Sequence, residues 1–240
     1  MSQEIDKMDK PLPFWSIALI PIYVGGMFAV ILLPISGDWL WLEAWLFIIS
    51  FAILMGLSYF LINKKNPRVL RNRMKTKKEG LSAKTKKASG SDRWIMPILG
   101  IGFFGALFLP PFDYRYGWTT IPFVVEMIAL VVMNLGLIIM DVAMVQNAYA
   151  SKILDINEGQ KLIDTGLYGK VRHPLYTGAI IMIFPLPIAL GSWISIIPAL
   201  IGVLSLFIRI KYEEEMLLKG MDGYEEYRTR VKYKLFPGIY

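Results

Sequence analysis

Apolar residues run almost without a break from Phe14 to Ile62, interrupted only across Pro34–Asp38. Each half is long enough to cross about 30 Å of hydrocarbon as a helix, which predicts spans over residues 14–35 and 40–62. The same reading predicts a third span over 94–111 and a fourth over 119–145, joined by a short loop that carries Asp113 and Arg115. A polar stretch from Gln146 to Pro174 follows, and then an apolar region from Leu175 to Ile208 punctuated by Pro185, Pro187, Gly191 and Pro198. That region is too long for one span and fits a tight helical hairpin turning at Gly191–Ser192, with the two prolines kinking its first arm. The remainder, Arg209–Tyr240, is charged, aromatic and helical in pattern. The pattern therefore predicts an all-α, polytopic membrane bundle of about six spans, with a polar C-terminal region beyond the hairpin.

Charge gives this bundle a direction. Between the second and third spans, Asn63–Arg93 holds eight lysines and four arginines against Glu79 and Asp92, a local charge of +10 in a chain whose total is +7. Loops rich in Lys and Arg resist translocation, so this segment is expected on the cytoplasmic side, and an even number of crossings places both termini there. Anionic lipid accounts for the basic loop, which sets nucleic acid aside as a partner. Met1–Lys10 is mixed in charge and the first apolar run exceeds a signal core, so no cleavable leader is expected. The chain reads as a single membrane domain over 1–240. It has two spans in 14–62, the basic loop in 63–93, two spans in 94–145, and a region carrying the chemistry in 146–240.

Composition narrows that chemistry. Hydrophobic residues make up 55% of the 240, and mean hydropathy is +0.48, above the roughly 45–50% apolar content of soluble domains. With no cysteine and one histidine, His173, thiolate zinc sites, iron–sulfur clusters and cysteine nucleophiles are excluded, and no metal is expected. The lack of cysteine and the compact length fit a prokaryotic plasma membrane. Neither a dinucleotide fingerprint nor a phosphate-binding loop nor a catalytic-serine elbow is present.

Two polar segments remain, Gln160–Tyr176 and Arg209–Pro237, and the hairpin brings them to the same face. In the first, Gly166 and Gly169 bracket Tyr168, and Arg172-His173-Pro174 sets a cation and an imidazole before a helix whose N-terminal amides favour an anion. Alone, these would serve as a snorkelling cation and an interfacial cap. In the second, Arg209 and Glu213 are four apart and share a helix face where the last span ends, a spacing that by itself describes an ordinary ion pair. Glu214 and Glu215 are expected on the exposed helix surface. Asp141 is expected to be solvated near the cytoplasmic end of the fourth span, and Glu126 lies within that span. The series Tyr224, Tyr227, Tyr233, Phe236 and Tyr240 reads as an interfacial belt and packing surface.

The ordered set TGLYGKVRHPLYTG, a hairpin with GSW, RIKYEE and GYEEYRTRVKYKLFP resembles the isoprenylcysteine carboxyl methyltransferase family over about residues 146–237. A weaker echo is Asn66-Pro-Arg-Val-Leu with the basic loop after it. The resemblance implies an integral membrane enzyme that transfers the methyl group of S-adenosylmethionine, leaving S-adenosylhomocysteine, to the carboxylate of a prenylcysteine or similar lipophilic acceptor from the bilayer. Carried over by motif position, the cofactor would be held by Gln160, Lys161, Leu162 and Ile163, by Tyr168, by His173, Pro174, Leu175 and Tyr176, and by Glu213. Arg209 would face the acceptor. Leu167 stands where many relatives have proline, and Gln160 where others have histidine or another polar residue. Acceptor identity and oligomeric state are left open.

The implied chemistry is coherent. A carboxylate with a reference pKa of about 3.5 is ionised at neutral pH and can attack a sulfonium methyl without a general base. Two other readings compete: a nicotinamide-dependent membrane reductase of the sterol reductase type, which has a similar RH-x-x-Y element, and a scaffold that keeps the fold without activity.

Overall fold

The computed structural model describes residues 10–65, 67, 70, 91–147 and 162–240. Helix α1 (Phe14–Ser36) ends where Gly37 adopts φ +74° and returns its N–H to the carbonyl groups of Leu33 and Pro34, so the Pro34–Asp38 break is a left-handed helix terminus. Helix α2 (Leu42–Lys65) runs back beside it. Helix α3 (Asp92–Phe108) continues through a break at Leu109 into the short α4 (Pro110–Tyr116), and α5 (Phe123–Gln146) follows. Among the described residues, four helical runs are long and apolar enough to cross a membrane: Phe14–Ser36, Leu42–Lys65, Asp92–Tyr116 and Phe123–Gln146. Their outward faces expose large apolar side chains such as Ile22, Val30, Ile53, Ile101 and Val124, which lipid solvates.

The hairpin is present. Its first arm is broken at Phe184–Pro185 into α6 (Pro174–Ile183) and α7 (Leu186–Ala189), the turn holds Gly191 at φ +76°, and the second arm is α8 (Ile196–Gly220). At 1.5 Å per residue the first arm reaches roughly 24 Å, short of the hydrocarbon thickness. The apolar part of α8 ends at Ile208. Among the described residues the structure thus holds four span-length helical runs followed by the hairpin.

Two corrections concern the loop after the third span. Asp113 and Arg115 lie in α4, and α5 begins at Phe123 rather than Thr119. The cause is Asp113, which is 1% exposed. Its carboxylate accepts from the Thr119 backbone N–H (2.7 Å), the Thr119 hydroxyl (2.6 Å) and Ser192 Oγ (2.5 Å), and Ser192 lies 2.7 Å from Ser195. These bonds hold the chain extended through Pro122 and tie α4 to the hairpin turn.

Lipid supplies little drive for helices to associate, so close backbone approach at small residues matters more than in water. A Cβ on Gly102 of α3 would lie 2.4 Å from the backbone nitrogen of Gly202 in α8, and one on Gly136 of α5 would lie 2.5 Å from that of Met182 in α6. The apolar core extends from Phe28 and Leu32 through Trp41, Met133 and Leu206 to Leu235, which draws the segment after α9 (Tyr224–Arg230) onto the bundle.

Candidate active site

The site forms where α6 begins and α8 passes beyond its apolar stretch. Pro174 occupies the first turn of α6, where its missing N–H costs nothing, and leaves His173 as the residue before the helix. Just upstream, the 3₁₀ turn Gly166–Gly169 starts with Gly166 at φ +63°, where a side chain would run into Gln146. Gln146 accepts a 2.9 Å bond from the Leu167 N–H. This places Tyr168 inside, with its carbonyl accepting a 2.7 Å bond from the Tyr227 hydroxyl.

Arg172 is buried and fully engaged along one side. Its Nε donates to Glu214 Oε1 at 2.6 Å, and its Nη1 donates to the carbonyl groups of Val231 (2.7 Å) and Lys232 (2.8 Å). The backbone N–H groups of Arg172 and His173 donate to the Tyr233 and Lys234 carbonyls at 3.0 and 2.9 Å, and Thr177 Oγ1 donates to that of Leu235 at 2.8 Å. His173 Nε2 lies 3.3 Å from Glu214 Oε1, and Lys234 Nζ lies 3.6 Å from Oε2. A carboxylate only accepts, so the proton of the imidazole sits on Nε2 in this contact. Burial pushes the Glu214 carboxyl up, but hydrogen bonds from His173 and Arg172, with their charges, outweigh it and hold the pKa at about 2. A cavity of about 570 Å³ opens beside this cluster, lined by Arg172, Glu214, Arg228, Thr229, Lys232 and Lys234.

A second group adjoins the first through Tyr176. Its ring stacks on His173 with centroids 5.7 Å apart, its hydroxyl donates to Glu213, and the Arg209 guanidinium carbon lies 5.7 Å from its ring centre. Arg209 is 6% exposed. Its Nε and Nη2 donate to the two carboxylate oxygens of Asp92, at 3.1 and 3.2 Å.

The sequence-predicted residues divide accordingly. Tyr168, His173, Pro174, Tyr176, Arg209 and Glu213 converge at this end of the bundle. Leu162 packs beside Tyr224, Tyr227 and Val231, and Ile163 is half-buried next to it in the chain. Leu175 packs instead with Ile62 and Met144. Gln160 and Lys161 lie outside the described residues. Glu215 is exposed as expected, whereas Glu214 is buried at the centre of the cluster, because one residue's step along α8 turns it by about 100° toward Arg172. Arg172 is also buried, which sets aside the snorkelling reading of that motif. The aromatic series splits: Tyr224 and Tyr227 are core residues, and Tyr233 and Tyr240 remain partly exposed. Asp141 accepts a hydrogen bond from Ser58 of α2, so it is tied to a neighbouring helix.

Sequence reasoning missed Asp92, Glu214, Thr177 and Lys234. Asp92 carried one signal: it is the last acidic residue of an otherwise basic loop, placed where an apolar helix starts. A further feature points outward from the cluster. Tyr224 is 2% exposed, yet its hydroxyl has no hydrogen-bond partner. Burial and the Glu214 charge raise its pKa well above that of an ordinary phenol.

These features define an integral membrane protein of the helical-bundle class with a buried, charged site at one end. Residues 127–219 match the model of the isoprenylcysteine carboxyl methyltransferase family. Among curated proteins, none matches the chain by sequence. A solved structure of the eukaryotic intramembrane Ras methyltransferase, isoprenylcysteine carboxyl methyltransferase, without a monobody, aligns at 20% identity with a TM-score of 0.48, over 92% of this chain and 76% of that one.

Proposed function

We propose that the protein transfers the methyl group of S-adenosylmethionine to the carboxylate of a lipophilic, prenylcysteine-like acceptor drawn from the bilayer. The observation that carries this reading is the single ring of Tyr176, which brings the Arg209 guanidinium and the Glu213 carboxylate together beside His173. A cation suited to an acceptor carboxylate and an anion suited to a sulfonium-bearing donor thus meet where α8 leaves the apolar core.

The residues present fit that donor. The buried hydroxyl of Tyr224 has no hydrogen-bond partner, and carboxylates with stacked aromatic rings suit a cationic, ring-bearing molecule. Glu213, His173, Tyr176, Tyr168 and Leu162 would hold it, with Gln160, Lys161 and Ile163 in the adjoining segment and Pro174 and Leu175 setting the start of α6. S-adenosylmethionine, when bound, supplies an electrophilic methyl group on a sulfonium centre. The acceptor carboxylate is already ionised at neutral pH, so no side chain has to remove a proton. Arg209 orients the acceptor through charge-assisted hydrogen bonds, and the surrounding core excludes water.

An apolar groove of about 410 Å³, lined in part by Val125, Ile128, Ile181 and Phe184, supports the lipophilic character of the acceptor. Helix α6 carries Tyr176 at one end and Phe184 just past the other, roughly 12 Å apart along its axis, a distance an isoprenoid tail can bridge. On this reading the site faces the cytoplasm, as the basic segment 63–93 indicates, and the water-soluble donor arrives from that side.

Calorimetric titration of the purified protein with S-adenosylmethionine and, separately, with NADPH tests the proposal. Binding of the former alone, weakened in Glu213→Ala and His173→Ala, is expected. Binding of NADPH alone would instead identify a reductase, and no binding of either would leave a scaffold.

A further inference from the structure

Asp92 is the first residue of α3, 117 positions from Arg209, and lies outside the segment that carries the family match. The two side chains meet in a paired arrangement in which Nε and Nη2 each address one carboxylate oxygen, and both are buried. The start of α3 is a favourable place for the anion, because unsatisfied helix N–H groups carry partial positive charge there. The Arg209 guanidinium also lies over the face of the Tyr176 ring. With one edge clamped and one face covered, a long, rotamer-rich side chain is reduced to one orientation.

Cohesion of the helices does not require this pair. Helices α3 and α8 already touch backbone to backbone at Gly102 and Gly202, and Trp94 and Tyr212 pack edge to face at 6.3 Å near the same end. A buried ion pair is a poor way to gain stability compared with apolar packing of similar volume, but it fixes geometry. Resting on the methyltransferase reading above, we infer that Asp92 is a positioning residue of the reaction: its carboxylate sets the orientation in which Arg209 meets the carboxylate of the methyl acceptor. A residue supplied by α3 thereby makes the N-terminal half of the chain part of the acceptor site.

The test measures methylation of N-acetyl-S-farnesylcysteine by full-length protein in detergent, with active sites counted by S-adenosylmethionine binding. For Asp92→Asn the expected result is a fall in kcat of at least about tenfold, as for a misaligned reactant. Acceptor KM should not rise in proportion, and donor Kd should stay within about twofold. Asp92→Glu, which keeps the charge and displaces it by a methylene, should lose less activity than Asp92→Asn while remaining folded. If Asp92→Asn does not fold, Asp92→Glu decides: reduced kcat at unchanged donor affinity supports the inference, and wild-type kcat overturns it. Wild-type kcat and KM per donor-binding site in Asp92→Asn would show a purely structural pair, and increased activity would show that Asp92 blocks the acceptor. Both results overturn the inference. If wild-type protein binds the donor but neither binds nor methylates the acceptor, the acceptor reading itself falls, and this inference falls with it.

Discussion

The phenol of Tyr176 donates its hydrogen bond to Glu213, while the face of the same ring lies beneath the guanidinium of Arg209, one helical turn earlier on α8. One side chain therefore holds the anion and the cation of the site at a fixed separation. Removing only the hydroxyl separates the two tasks. Tyr176→Phe keeps the ring but frees Glu213, and it is expected to weaken S-adenosylmethionine binding by roughly 10- to 150-fold, the range for a hydrogen bond to a charged group. Acceptor KM should change little. Calorimetry and steady-state kinetics on the same preparation check this.

Arg209→Lys keeps a positive charge but loses the planar fork that Asp92 and an acceptor carboxylate require. Turnover is expected to fall about 100-fold, with donor affinity within about threefold of wild type. Normal turnover in this variant would remove Arg209 from the mechanism.

The neighbouring glutamates should behave oppositely. Glu214→Gln breaks a buried pair with Arg172 and leaves its charge uncompensated, a loss of roughly 3–5 kcal/mol. The melting temperature in detergent should drop by at least about 5 °C. Glu213→Gln should leave melting nearly unchanged in the absence of donor and abolish most of the donor-induced rise that any ligand preferring the folded state produces. Thermal melts of both variants with and without S-adenosylmethionine separate the two roles.

Glu214 also sets an acid limit. Its folded pKa of about 2 lies below the ordinary 4.5, so the unfolded chain binds its proton first as pH falls. The stabilisation is complete above about pH 4.5 and is lost progressively towards pH 2. The melting-temperature difference between wild type and Glu214→Gln is expected to stay constant from pH 7 to 5 and to narrow below pH 4.5. A gap that does not narrow would assign the stabilisation to something other than this ionisation.

Tyr224→Phe removes a hydroxyl that has no partner in the free protein. Stability should be unchanged or slightly higher, while donor affinity falls by roughly 2- to 12-fold, as for one neutral hydrogen bond. Equal affinity in both proteins would mean that this hydroxyl does not face the donor.

Most helices were legible because membrane spans announce themselves by length and hydropathy, and the hairpin by Pro185, Pro187 and Gly191. The start of α5 was not, because an apolar run does not reveal that Asp113 and Thr119 hold the preceding residues extended. Tyr168, His173, Tyr176, Arg209 and Glu213, named through motif order, lie together at one end of the bundle, and their roles belong to the proposal. Glu214 was misplaced because a Glu-Glu-Glu run looks solvated until the helix has a measured rotation. Asp92 and Lys234 were invisible as partners because each is joined to the site by tertiary contact alone, across 117 residues for Asp92–Arg209 and by the closing segment for Lys234.

That closing segment has a consequence for biogenesis. Residues 231–235 supply five carbonyl groups that receive hydrogen bonds from Arg172, His173 and Thr177, so the bundle can insert and pack before its site exists. Until the ribosome has released that stretch, Arg172 has its carboxylate but not its main-chain acceptors. A nascent chain arrested earlier would be a correctly inserted membrane protein with an unfinished pocket. The order of synthesis thereby places chemical competence after insertion of the apolar helices.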